Sequence, residues 1–189
     1  VTWNHNHHGD GICDLNGNVW EWNAGMRLVD GEIQIIPYNN AAMGSKCDMS
    51  ASSTLWKAIK ADGSLVEPGT AGTLKWDWVS GKIQLTSGAI TYKTDSGVGG
   101  QYKDMTLASG LTAPEIAKML LLYPDEPNGD YAGDYHWFNP VGERLPLCGG
   151  NWGSGALAGV FGLDLADPRS NAHWGIGFRS AYFRKRRTE

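Results

Sequence analysis

Three histidines, His5, His7 and His8, fall within the first eight residues, beside Asp10 and Asp14. Histidines two apart on a strand share a face, so these are residue types that a metal cluster uses. A polar segment hydrogen-bonded under a loop accounts for them equally well, and His136 and His173 lie far away in sequence. Asp10 to Glu21 (DGICDLNGNVWE) is dense in oxygen-bearing side chains, the donors that calcium takes. It lacks the ligand spacing of an EF-hand loop, and Asp and Asn in turns commonly bond their own backbone. No metal is assigned, and for Asn16, Asn18 and Glu21 the calcium reading stands beside the turn reading.

Nucleophiles are equally sparse. Cys13, Cys47 and Cys148 are odd in number, which excludes a complete disulfide framework. They lack C-x-x-C spacing, which argues against structural zinc, so reduced, buried thiols are expected. The chain has no G-x-S-x-G, no P-loop, no H-E-x-x-H and no G-x-G-x-x-G opening a helix. The glycine-rich run Gly149 to Gly155 leads into no lysine-bearing helix that would cradle phosphate. Neither a catalytic residue nor a cofactor follows from these motifs.

The elements that would position any site are short. With 189 residues the chain fits one domain, and 41% apolar against 19% charged residues is a globular balance. The 26 glycines and eight prolines predict turns and irregular loops rather than a helical bundle. The net charge of −4 divides into +3 over the last six residues and −7 over the rest. An acidic body excludes a nucleic-acid-binding surface, and the basic end reads as a solvated terminus. No run approaches the ~20 apolar residues of a membrane span, so no membrane insertion is expected. The chain opens on Val1 with no signal peptide, and is expected to be a trimmed part of something longer.

Alternation over Asn18–Trp22 (NVWEW) predicts a strand. Met26 to Val29, Asp30-Gly31 and Glu32 to Ile36 predict a hairpin, because Asp-Gly suits a type I′ turn. The pattern recurs over Leu74 to Val79, Ser80-Gly81 and Lys82 to Thr86. There Leu74, Trp76 and Trp78 share one face, and Ile83 and Leu85 share another. Two helices are predicted. Thr112 to Glu115 has the pattern of a capping box, and Pro124 stops the helix after it. Ser52 to Lys60 reads as a shorter helix turning Leu55, Trp56 and Ile59 inward. Residues 87–111 and 124–150 read as long loops with short strands. Near the C-terminus, Phe161, Leu163 and Leu165 alternate with small or polar residues, as do Ile176 and Phe178. The fold class expected is α+β, β-rich, with two helices and long loops.

Two motifs carry a resemblance. Asp14 to Trp22 (DLNGNVWEW) resembles the signature of the formylglycine-generating-enzyme type of C-type lectin fold. Gly149 to Trp152 is followed by Ala158 to Phe161, Leu163, Leu165, Arg169 to Asn171 and Ile176 to Ala181. That pattern is similar to the variable region of proteins diversified by diversity-generating retroelements. Hairpin 26–36 resembles the phage and gut-virome members of that group. The resemblance implies a single C-type-lectin-like domain over 1–189, with an insertion at about 40–145 and a variable region at about 149–181. It also implies buried core aromatics at Trp20, Trp22, Trp152, Phe161 and Phe178.

In such proteins template adenines are copied with errors, so Asn codons become many others. The positions that the resemblance marks as variable, and so as ligand-binding, are Gly153, Ser154, Leu157, Asp164, Ala166, Asp167, His173, Trp174 and Gly175. Eight of these residues are reachable from an Asn codon; Trp174 is not, because its codon ends in G. The function implied is a ligand- or receptor-binding display domain without catalysis, on a phage tail or a bacterial surface. Its partner would be a host cell-surface protein or glycan. An oxidase like the formylglycine-generating enzymes is the alternative from the same fold. That activity uses paired C-terminal cysteines, and here Cys148 stands alone. A bacterial surface carbohydrate-binding lectin is a third reading, without the Glu-Pro-Asn or Gln-Pro-Asp tripeptide of calcium-dependent sugar sites.

Overall fold

The computed structural model describes residues 4–126 and 129–179. The predicted hairpins form as expected. Strands β1 (Trp20–Trp22), β2 (Met26–Val29) and β3 (Glu32–Ile35) open the chain, and Asp30 and Gly31 have φ of 49° and 79°. After them come β4 (Lys57–Ile59), β5 (Leu65–Val66), β6 (Lys75–Val79) and β7 (Lys82–Thr86). Ser80 and Gly81, at 52° and 78°, close the second hairpin with the same turn chemistry. The remaining strands are β8 (Val98–Gln101), β9 (Thr106–Leu107), β10 (Tyr135–Phe138), β11 (Glu143–Arg144), β12 (Leu147–Cys148), β13 (Leu163–Leu165) and β14 (Ile176–Phe178).

The fold is α+β and mostly sheet. One sheet runs β14-β1-β12-β13-β10-β8, so the first and last strands meet where β14 lies parallel to β1. The other runs β11-β2-β3-β6-β7-β9, with β4 and β5 attached to β3. A single apolar cluster joins them, from Leu28, Ile33 and Trp76 of one sheet to Phe138, Leu163 and Leu165 of the other. Trp76 is fully buried and donates its indole N–H to Leu122 O at 3.0 Å. Register places Trp76 opposite Leu85 and Trp78 opposite Ile83, so these residues share one face of their sheet, not the two expected.

Other expectations fail for identifiable reasons. Residues 52–60 are not a helix but a turn followed by β4, which pairs with both β3 and β5. In that turn Asp48 Oδ1 accepts from Ser50 N and Ser53 Oγ from Leu55 N, and sheet pairing then captures Lys57–Ile59. Trp56 packs its ring under the Arg27 guanidinium, 4.4 Å from the centroid. The capping box does not form either. The helix spans only Glu115–Met119 (α1), with Pro114 at its N-cap and no side-chain cap. Leu121, at φ 58°, ends it before Pro124 is reached. A 3₁₀ segment over Asn40–Lys46, broken at Gly44, was not anticipated.

Polar groups inside are mostly paired. Glu32 accepts from Gln34, Thr73 and the Gly69 backbone, and Asp77 accepts from Thr91 and from the backbone of Tyr92. His136 differs. Its ring stacks on Tyr102 at 4.5 Å, its Nε2 meets Phe161 O at 2.7 Å, and its Nδ1 has no partner. Burial holds its pKa down at about 4, against the weaker pull of the Phe161 carbonyl. Among the described residues no helix is long and apolar enough to cross a membrane. Ser180, Ala181 and the basic stretch 184–187 lie outside the described residues.

Candidate functional site

The six-stranded sheet has two faces, and register assigns each side chain to one of them. Gly177, Glu21, Cys148, Leu163, His136 and Gly100 lie in one row, whose middle members enter the core. The next row is Phe178, Trp22, Leu147, Asp164, Trp137 and Gly99. Strand alternation sends this second row to the opposite face. Asp164 therefore points away from Leu163 and Leu165, as its position in sequence predicts. It is nonetheless half-buried, between Leu147 on β12 and Trp137 on β10. Desolvation raises its pKa to about 6, with Asp167 adding repulsion and the Ala166 N–H pulling the other way.

The loop between β12 and β13 is built on close backbone packing. Gly149 and Gly150, with φ of 89° and 79°, turn the chain away from the sheet. A Cβ on Gly159 would lie 1.9 Å from Asp134 Oδ1, so only glycine lets that buried carboxylate hold the loop through the Phe161 N–H. The N-terminal segment laces onto the same loop. Gly17 N donates to Gly149 O at 3.0 Å and Trp152 N to Asn18 O at 3.1 Å. Arg179, just past β14, clamps this segment with three hydrogen bonds to Glu21 and others to Cys13 O and Asp14 O.

This lacing brings together several of the positions that the resemblance marks as variable. Asn151 Oδ1 accepts from Gly153 N and Ser154 Oγ, and Ser154 O accepts from Leu157 N. His173 Nδ1 accepts from Gly175 N, and Gly175 O receives Trp20 N. Trp174 reaches across to Trp152, with ring centroids 5.2 Å apart, and touches His173 at 4.7 Å. Gly153, Ser154, His173, Trp174 and Gly175 thus gather around Asn151 and Trp152, and Leu157 follows on the adjoining 3₁₀ turn. Asp164, Ala166 and Asp167 form a second group along β13 and just past its end. Ala166 N bonds Asp164, and Asp167 O receives Leu145 N.

Two of the aromatics expected in the core lie elsewhere. Trp152 is 66% exposed and Phe178 is 78% exposed, whereas Trp20 is buried at 9% and Trp22 and Phe161 are half-buried. Trp152 follows two positive-φ glycines out of the sheet, and Phe178 stands on an edge strand. Trp152 and Trp174, 68% exposed, make an indole pair open to solvent. Beside it lies a cleft of about 660 Å³, lined by Asp14, Asn16, Asn18, Asn151 and Trp152 among others. Sequence reading missed Trp152 and Asn151 as surface groups. The available signal was a tryptophan between glycines with no apolar residue at strand spacing.

The chemistry of this surface is polar and aromatic. Among the described residues no cluster of His, Cys, Asp or Glu is arranged to hold a metal ion. Cys13 is exposed rather than buried, because its segment lies over the sheet edge and not in the core; Cys47 is buried. Cys148 is half-buried and hydrogen-bonded to Asn23, and burial pushes its thiol up, away from the reactive thiolate. In sequence comparison the chain matches no protein-family model and no curated protein.

Proposed function

We propose that the chain is a binding domain that presents a variable C-terminal surface to a ligand on another cell or virion, without catalysis. The reading of the chain as a C-type-lectin-fold variable protein of a diversity-generating retroelement belongs to the same proposal. The observation that carries it is the solvent-open Trp152–Trp174 pair, with Gly153, Ser154 and His173 gathered around it. Large exposed aromatics cost solubility when they serve nothing, and tryptophan dominates binding energy where it meets a partner. The small residues beside it shape the surface, as Ser and Gly do in antibody loops. The scaffold fits such a role. Leu163 and Leu165 turn inward into the core, and backbone hydrogen bonds from Gly17 to Gly149 and from Trp152 to Asn18 tie the loop to the N-terminal segment.

The setting that suits this reading is a phage tail or a bacterial surface, and the partner a host-surface protein or glycan. Sequencing the DNA around the coding region tests the diversification directly. The expected result is a near-copy of codons 149–181 beside a reverse transcriptase gene, differing mainly at adenines. A source genome with neither would contradict it.

A further inference from the structure

The groups around the indole pair specify a ligand class. The cleft walls offer amides and one carboxylate, Asp14, and no cation. The nearest guanidinium, Arg179, is spent on Glu21 and two backbone carbonyls. Asn16 has no side-chain partner among the described residues, nor has Asn151 Nδ2, whose amide oxygen is already engaged. Among the described residues neither indole N–H of the pair has a hydrogen-bond partner. His173 accepts at Nδ1, which leaves the neutral ring its donor at Nε2. The surface therefore pairs two broad apolar planes with a rim of uncharged donors and acceptors. The ring centroids are 5.2 Å apart and the planes 31° from parallel, so the indoles overlap as a tilted stack, and the outer indole face of that stack is the shelf.

We propose that this shelf and cleft form a subsite for a neutral saccharide. One pyranose C–H face would lie on Trp174 or Trp152, with its hydroxyls meeting Asn16, Asn151 Nδ2 and the indole N–H groups. A sugar ring has an apolar face and a polar edge, and this surface offers the complement of both. Among the described residues an anionic ligand finds no positive partner here. A quaternary ammonium group needs aromatic faces on several sides, and the shelf supplies one. The inference rests on the display reading for the place of the ligand, and adds its chemistry.

The test uses the whole chain, a neutral glycan array, and titration of each hit followed by tryptophan fluorescence. The array carries hexose and N-acetylhexosamine oligomers, with sialylated glycans and choline-bearing beads as other arms. The expected result is binding to neutral oligomers, unchanged by chelator, with at least about tenfold loss in Trp174→Ala and several-fold loss in Asn16→Ala. Both side chains are exposed, so both variants are expected to melt with the parent; Trp174→Phe, keeping a ring, is expected to retain most of the affinity. Neutral-glycan binding that survives both Trp174→Ala and Trp152→Ala would overturn the subsite, as would binding abolished by chelator. A preference for the sialylated or choline arm would overturn the ligand class. So would absence of any glycan binding while the chain binds a protein at the same tryptophans, and that outcome leaves the display reading standing.

Discussion

Asp164 is one of the positions expected to vary freely, and its surroundings predict a large and pH-dependent stability effect. The carboxyl lies between Leu147 and Trp137, and its pKa stands at about 6 against the ordinary aspartate value of 3.8. Because the folded value is raised, the folded state holds the proton more tightly than the unfolded chain. Stability is then greatest below pH 3.8, falls as pH rises toward 6, and is flat above. The gap of about 2 units corresponds to up to about 3 kcal/mol at pH 7, at about 1.4 kcal/mol per unit. Asp164→Asn keeps an oxygen to accept the Ala166 N–H and removes the charge. Urea unfolding followed by tryptophan fluorescence is expected to find the variant more stable by up to about 3 kcal/mol at pH 7.5. The gain is expected to fall to about 1 kcal/mol at pH 4.5. The comparison within each pH isolates Asp164 from His136, whose burial acts in the opposite direction. A stability difference identical at both pH values, or a variant less stable at pH 7.5, would refute the reasoning.

His136 has a folded pKa depressed from 6.5 to about 4, so its contribution is present above pH 6.5 and is lost as pH falls toward 4. His136→Phe, which also removes the partnerless Nδ1, is expected to flatten that acid limb in the same urea assay. Trp20→Ala is expected to cost about 3–5 kcal/mol, since Trp20 is buried and meets Trp137 edge-on, whereas Trp152→Ala is expected to stay within about 0.5 kcal/mol. Calorimetry of the two variants side by side checks the contrast, and equal losses would count against the placement of Trp152. Gly159→Ala drives a methyl into the Asp134 carboxylate and is expected to cost about 1–3 kcal/mol. Hydrogen exchange should then rise at Phe161 N–H first. Timed alkylation with mass spectrometry is expected to label Cys13 quickly, Cys148 slowly and Cys47 only on unfolding.

Local chemistry explains which parts of this fold could be read from sequence. Asp30-Gly31 and Ser80-Gly81 announce their turns because few pairs accept positive φ twice, and the flanking alternation fixes the strands. The inward Leu163 and Leu165 follow from the same period. Residues 52–60 misled because Leu55, Trp56 and Ile59 have helical spacing, while the deciding force, pairing of Lys57–Ile59 with β3 and β5, is non-local. Thr112 and Glu115 offered a capping pattern that Pro114 displaced from the N-cap. For the candidate site, the motif named aromatic residues without saying which way they face. Trp20 and Trp152 look alike in sequence, each following positive-φ residues, and what separates them is that Trp20 pairs into β1 while Trp152 lies in the loop after β12. The meeting of Trp152 with Trp174 depends on the crossing from β13 to β14, which places loop ends side by side after 22 residues of chain.

The measurement that bears most directly on the display reading is an exchange of Gly153, Ser154, Leu157, Asp164, Ala166, Asp167, His173, Trp174 and Gly175 for the residues of another variant. Melting temperature and ligand preference are then read on the same sample. The expected result is a folded protein whose preference follows the donor of the nine residues, with stability changes concentrated at position 164 and at Gly175, which is buried with little room for a Cβ beside Asn151 and His173. A collapsed fold, or a ligand preference that stays with the scaffold, would contradict it.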